Sequence, residues 1–175
     1  MPSKNALKEY EAGGYYHIYN RGVAKRTIFK TDKDYKTFLS YLKLYLTPPP
    51  PRSLSPLPPP SRQLNNFADQ IRLISYCLMP NHVHLVGKPQ ELQNLAKFMQ
   101  GVSRSYTAYF NKRYKKVGHL WQGRFKSRVI AKDGYLVDCI QYVEHNPIRT
   151  HLSKSAGEYH WSSYQERALK STDSK

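Results

Sequence analysis

The stretch "QIRLISYCLMPNHVHLVG", residues 70–87, decides the fold. Residues 70–79 form an apolar, β-prone run, Pro80-Asn81 interrupts it, and an alternating run follows from His82 to Gly87. Two such runs joined by a short turn predict an antiparallel hairpin. On its second strand His82 and His84 stand at i and i+2. They share one face, about 7 Å apart at Cα, while Val83 and Leu85 point the other way into a core. The geometry suits two nitrogen ligands on one metal ion. It equally suits two half-buried histidines that hold nothing, so the remainder of the chain has to choose.

Working outward, "GGYYHIYNRG" (13–22) alternates and reads as a strand. "TDKDYKTFLSYLKLYL" (31–46) opens with Thr31 as N-cap and Asp34 three residues on, then shows helical spacing at Phe38, Tyr41, Leu42 and Tyr45. Past the hairpin, apolar positions from Leu92 to Phe110 recur every three or four residues, which predicts a long amphipathic helix from Glu91 to about Tyr114. "GRFKSRVIA" (123–131) alternates as a strand, and "DGYLVDCIQYVEHN" (133–146) reads as a helix that Asn146-Pro147 ends. The order β-α-β-β-α-β-α predicts an α+β fold: a ferredoxin-like sandwich, an antiparallel sheet with helices on one face and an extra C-terminal helix carrying Tyr142. "TPPPPRSLSPLPPPSR" (47–62) holds eight of the twelve prolines. Only about 45 residues precede it, so we expect a loop inserted into a single domain spanning 1–175 rather than a domain boundary.

The chain has 175 residues and a net charge of +16, from 28 Lys and Arg against 12 Asp and Glu. Such an imbalance points to a polyanionic partner. No segment has the run of apolar residues a membrane helix needs, the N-terminal residues lack a signal-peptide core, and two cysteines give no disulfide framework, so a reduced cytoplasmic setting is expected. Between Glu91 and Asp133 there is no acidic residue, yet ten basic ones. Aromatics interleave them (Tyr106, Tyr109, Phe110, Tyr114, Trp121, Phe125), the usual composition of a groove for single-stranded nucleic acid. The candidate nucleic-acid contacts are Arg104, Lys112, Arg113, Lys115, Lys116, Arg124, Lys126 and Arg128.

On the 133–146 helix Tyr135, Cys139, Tyr142 and Asn146 fall on one stripe, and Leu136, Ile140 and Val143 on the adjacent apolar one. A phenol beside a divalent metal can attack a phosphodiester and keep the phosphoryl group as an ester. An amide oxygen can complete a two-imidazole site around Mg²⁺ or Mn²⁺.

These motifs together resemble the tyrosine transposases that act on single-stranded DNA, and within them the REP-associated branch. "MPNHVHLV" resembles the His-hydrophobic-His metal motif, "YVEHNPIR" (142–149) the catalytic-tyrosine motif, "GHLWQGRFKS" (118–127) a signature segment between them, and "YYHIYNRG" (15–22) the opening strand. The resemblance covers roughly residues 10–165, and the Pro-rich insertion is not part of it. It implies that Tyr142 is the nucleophile, that His82 and His84 bind Mg²⁺ or Mn²⁺, and that Asn146 is the third ligand, with Glu144 and His145 as competitors for that place. It also implies cleavage of single-stranded DNA beside a hairpin through a 5′-phosphotyrosine, strand transfer to a second 3′-OH, and a cytoplasmic, nucleoid-associated protein acting as monomer or homodimer, with no membrane partner. A non-catalytic binder of hairpin DNA or RNA that retained the fold is the alternative.

Overall fold

The computed structural model describes residues 13–48, 66–130 and 133–172. Four strands form one antiparallel sheet: β1 (Tyr15–Arg21), β2 (Ile71–Met79), β3 (His82–Pro89) and β4 (Lys126–Ile130). Their order across the sheet is β2-β3-β1-β4, with β1 and β3 in the middle. Helix α1 (Asp32–Leu46) follows β1, α2 (Leu92–Tyr114) follows β3, and α3 (Asp133–Glu144) follows β4. The expected element order and α+β class therefore hold. The short α4 (Asn146–Arg149) and α5 (Tyr164–Thr172) complete the fold.

Alternation along the strands divides the molecule into two layers of packing. Tyr16, Ile18, Leu78, Val83 and Leu85 face α1 and α2 and are fully buried. Against them α1 places Phe38, Leu42 and Tyr45, and α2 places Leu95, Phe98, Met99, Val102, Tyr106 and Phe110, each at helical spacing. Cys77, Met79 and Val86 face the other way, and the buried Ile140 and Val143 of α3 close over them. The first two helices thus share one face of the sheet, as expected, and the extra helix with Tyr142 takes the opposite one. That face is the one presenting His82 and His84.

Three local features depart from the sequence reading. Cys139 packs with Leu136 against the α3 cluster, so it belongs to the seat of the helix and not to the tyrosine stripe. The helix stops at Glu144: His145 adopts φ −91° and ψ 3°, and Asn146 opens a new turn with Pro147 behind it. Proline has no N–H to continue the α3 ladder past this point. Finally, β2 carries a bulge, with Leu73 opposite Gly87 and Ser75 opposite Val86. The extra residue changes the phase of the strand, so that Ser75 faces α3.

Of the proline-rich insertion, 49–62 lie outside the described residues. Its neighbours are tied together: the Phe67 amide donates to the Tyr45 carbonyl at 2.7 Å, and the Asn66 side chain donates to the Thr47 carbonyl at 2.5 Å.

Candidate active site

The hairpin turn fixes the first histidine. The Pro80 carbonyl accepts from the amides of Ile28 and Phe29, and the Asn81 carbonyl accepts from Gly22. The Asn81 side-chain oxygen lies 2.5 Å from His82 Nδ1, which leaves the other ring nitrogen of His82 for a ligand. Two residues on, His84 has its ring centroid 4.9 Å from that of His82. Pairing across the sheet then sets Tyr19 opposite His84 and Arg21 opposite His82 on β1, with Lys126 opposite Tyr19 and Arg128 opposite His17 on β4.

His17 brings a third imidazole that the sequence reading did not place in the site. Its Nε2 lies 2.9 Å from His84 Nδ1, and the two rings stack with centroids 5.1 Å apart. The signal was present: His17 and Tyr19 are themselves an i, i+2 pair on a strand, but only the register with β3 shows which face they share.

Above these rows stands Tyr142, 40% exposed, with its ring 6.1 Å from His84 and 5.9 Å from His17, both edge-on. The Arg149 guanidinium carbon lies 5.1 Å from the centroid of the Tyr142 ring. Asn146, buried, lines the same cavity beside His82. A cavity of about 1050 Å³ joins these groups with Arg21, Arg124, Lys126 and Arg128, and among the described residues no acidic side chain lines it.

Burial first, then the Arg21 charge, holds the His82 imidazole down to about 4. Burial, then His82, His17 and Arg21, holds His84 down to about 3. Burial and Arg128 lower His17 as well. Charged imidazolium is disfavoured among buried neighbours of like sign, so all three rings are neutral at pH 7 and keep a lone pair. Among the described residues no three His, Cys, Asp or Glu side chains converge as a metal-binding group. A metal site here therefore depends on the amide of Asn146. Two neutral imidazoles and an amide beside one of them, open to one cavity, form a donor set that fits a divalent ion.

The other two competitors for the third place face elsewhere. Glu144 is 1% exposed and pairs with Arg167 at 2.8 Å. His145 turns its Nδ1 to the Gln141 carbonyl. Tyr135, on the same helix as Tyr142, is 58% exposed and does not line the cavity.

The candidate DNA contacts divide. Arg124, Lys126 and Arg128 line the cavity, while Phe125 and Val129, which alternate with them, pack against the core, as alternation predicts. Arg104, Lys112, Arg113, Lys115 and Lys116 do not line it. Those residues lie on or just after α2, behind the sheet, and Arg113 sits 3.4 Å from the carboxylate of Asp34. The interleaved aromatics are not a stacking surface. Tyr106, Phe110 and Trp121 are buried in the core, and the hydroxyls of Tyr109 and Tyr114 donate to Asp34 at 2.9 and 2.6 Å. A helix that must bury one face takes its aromatics inward; composition alone does not tell that arrangement from a binding groove.

Residues 65–146 match the model of a family described as transposase IS200 like. The whole fold is similar to that of a REP-associated tyrosine transposase solved bound to a REP hairpin: TM-score 0.65, 13% identity, 97% of this chain and 87% of that one covered. A crystal structure from Deinococcus radiodurans R1 overlays 79% of the chain and 94% of its own at TM-score 0.47 and 16% identity, and adds nothing to the assignment. No curated protein matches. Fold and matched segment together bear out the resemblance read from the motifs: the chain is similar to the IS200-like transposases, and its fold is that of the REP-associated tyrosine transposase. No helix among the described residues is long and apolar enough to cross a membrane.

Proposed function

We propose that the protein is a metal-dependent single-stranded DNA endonuclease and strand transferase that recognises hairpin DNA and acts through Tyr142. The observation that carries this reading is the convergence of Tyr142, His82, His84 and Asn146 on one cation-lined cavity, the histidines from β3 and the other two from the consecutive helices α3 and α4, some sixty residues further along the chain.

The Tyr142 oxygen attacks the phosphorus, the bond to the 3′ oxygen breaks, the phenol gives up its proton, and the leaving 3′ oxygen gains one. The products are a 5′-phosphotyrosyl ester and a free 3′-OH. One ester replaces another, so a second strand's 3′-OH can reverse the step and join the strands without external energy. His82, His84 and Asn146 would hold Mn²⁺ or Mg²⁺, which when bound polarises the phosphate. With two imidazoles and no carboxylate the donors favour Mn²⁺ over Mg²⁺. Arg149, close to the phenol, and Lys126 and Arg128 from the cavity wall place positive charge where phosphate oxygens become more negative. The likeness to a transposase bound to a REP hairpin supports a DNA hairpin as the partner.

Incubating the protein with Mn²⁺ and hairpin-flanked single-stranded DNA should give an SDS-resistant protein–DNA adduct that EDTA suppresses. Adduct undiminished in EDTA contradicts the metal reading; tight hairpin binding with no adduct under any divalent ion would instead support a non-catalytic binder.

A further inference from the structure

Two residues past Tyr142, a carboxylate is buried that the proposed reaction does not use. Glu144 ends α3 with its side chain on the side away from the cavity, 1% exposed. Its Oε1 accepts from the Ser75 hydroxyl of β2 at 3.1 Å, from the Ser163 hydroxyl at 2.8 Å, and from Arg167 Nε at 2.8 Å. Its Oε2 accepts from Arg167 Nη2 at 3.1 Å, which makes the pair a two-pronged one. Each donor comes from a different part of the fold. Ser75 lies just past the β2 bulge and faces α3 in phase with Cys77 and Met79. Ser163 lies in the segment that runs along the β2 edge, where its hydroxyl accepts from the Tyr76 amide at 2.9 Å. Arg167 belongs to α5, which is tied to the same strand by the Tyr76 hydroxyl donating to Glu166 at 2.9 Å.

The position of this carboxylate in the chain gives it a consequence. Tyr142 and Asn146 flank Glu144 symmetrically, and the helix breaks at His145 between Glu144 and Asn146. A break in a helix frees the two segments to pivot unless something fixes the joint. A buried, multiply bonded carboxylate fixes it. We propose that Glu144, clamped by Ser75, Ser163 and Arg167, is a positioning residue that sets where Tyr142 and Asn146 stand over the histidines. The C-terminal helix α5, remote from the cavity, thereby acts on the site through Arg167. This inference rests on the reading of Tyr142 as nucleophile, and its test separates the two.

Arg167→Gln, Arg167→Lys, Ser75→Ala and Tyr142→Phe are compared with wild type in two measurements. The first is the single-turnover rate of adduct formation at saturating hairpin DNA with Mn²⁺, well below each melting temperature, beside the DNA affinity. The second is ¹⁹F NMR of protein carrying 3-fluorotyrosine, in which Tyr142→Phe identifies the Tyr142 line. Displacement of a reacting group by an ångström costs up to about a hundredfold in rate. Arg167→Gln should therefore lose on the order of tenfold or more in rate with DNA affinity within about twofold, and the Tyr142 line should shift or broaden. Arg167→Lys, which keeps the charge and one donor, should recover most of the rate. Melting temperatures lowered with rate and Tyr142 line unchanged would overturn the clamp and leave Glu144 a merely structural anion. If Arg167→Gln does not fold, Ser75→Ala, which keeps the ion pair, is read by the same criteria. Adduct persisting in Tyr142→Phe, or no adduct in wild type, would overturn the nucleophile reading, and the NMR line would still decide the clamp.

Discussion

His82 and His84 are neutral because burial and neighbouring cations refuse them a proton, and that cost appears in stability as well as in chemistry. An unfolded chain protonates them near the ordinary value of 6.5, whereas in the fold His82 is held at about 4 and His84 at about 3. Between these values the unfolded state binds protons that the folded state does not, so stability is fully present above about pH 6.5 and is lost as pH falls toward 4. The metal-free protein should drop by about 5 °C or more in melting temperature from pH 7 to pH 5, and His84→Asn should drop measurably less. Differential scanning fluorimetry in EDTA reads both; parallel slopes for the two proteins would contradict the burial account. At this scale spacing showed the pair of histidines, while Tyr142 was singled out by the resemblance of "YVEHNPIR" to a catalytic-tyrosine motif. His17 was missed because its membership depends on which residue of β3 stands opposite it, and spacing along one strand carries no register.

Elements meet where small residues allow it. Gly101 on α2 lies under Tyr45 of α1, and a Cβ built there would sit 2.8 Å from the Tyr45 ring, which is itself buried and bonded to Ser105 at 3.1 Å. Gly101→Ala should destabilise the protein by about 1–3 kcal/mol through overpacking, despite alanine's better helix propensity. A melting temperature equal to or above wild type would show that the seam can give. Strand β4 supports a second expectation. Arg124, Lys126 and Arg128 line the cavity, whereas Lys112, Lys115 and Lys116 do not. Replacing the first three by alanine should weaken hairpin binding and flatten the slope of log K against log salt by about 0.7 per lost contact with single-stranded phosphate. Replacing the second three should change the slope less. The reverse order would move the DNA to the end of α2. Most elements were legible because their apolar periods are long and regular. The break at His145 and the β2 bulge were not, since each is set by partners far along the chain: Pro147 announced an end to the helix but not where Asn146 would go.

At the scale of the molecule, one sheet serves two purposes. Its first face is sealed by α1 and α2, and the aromatic-rich sequence goes there to build the core. Its second face is only partly covered, by α3, and the uncovered part is a cavity with three imidazoles, the phenols of Tyr19 and Tyr142, and five cations from Arg21, Arg124, Lys126, Arg128 and Arg149. Composition reported the charge but not this division, which is why five of the eight expected basic contacts lie behind the sheet. All the parts converge on the oxygen of Tyr142, so the most direct measurement asks where the DNA is attached. The adduct formed with Mn²⁺ is digested with nuclease and protease, and the peptide bearing the residual nucleotide is identified by mass spectrometry. The account predicts a phosphoryl linkage on Tyr142, and no adduct from Tyr142→Phe, which still binds the hairpin with affinity within about threefold of wild type because its cations are intact. A linkage on Tyr135 or another residue, or an undiminished adduct from Tyr142→Phe, would contradict it.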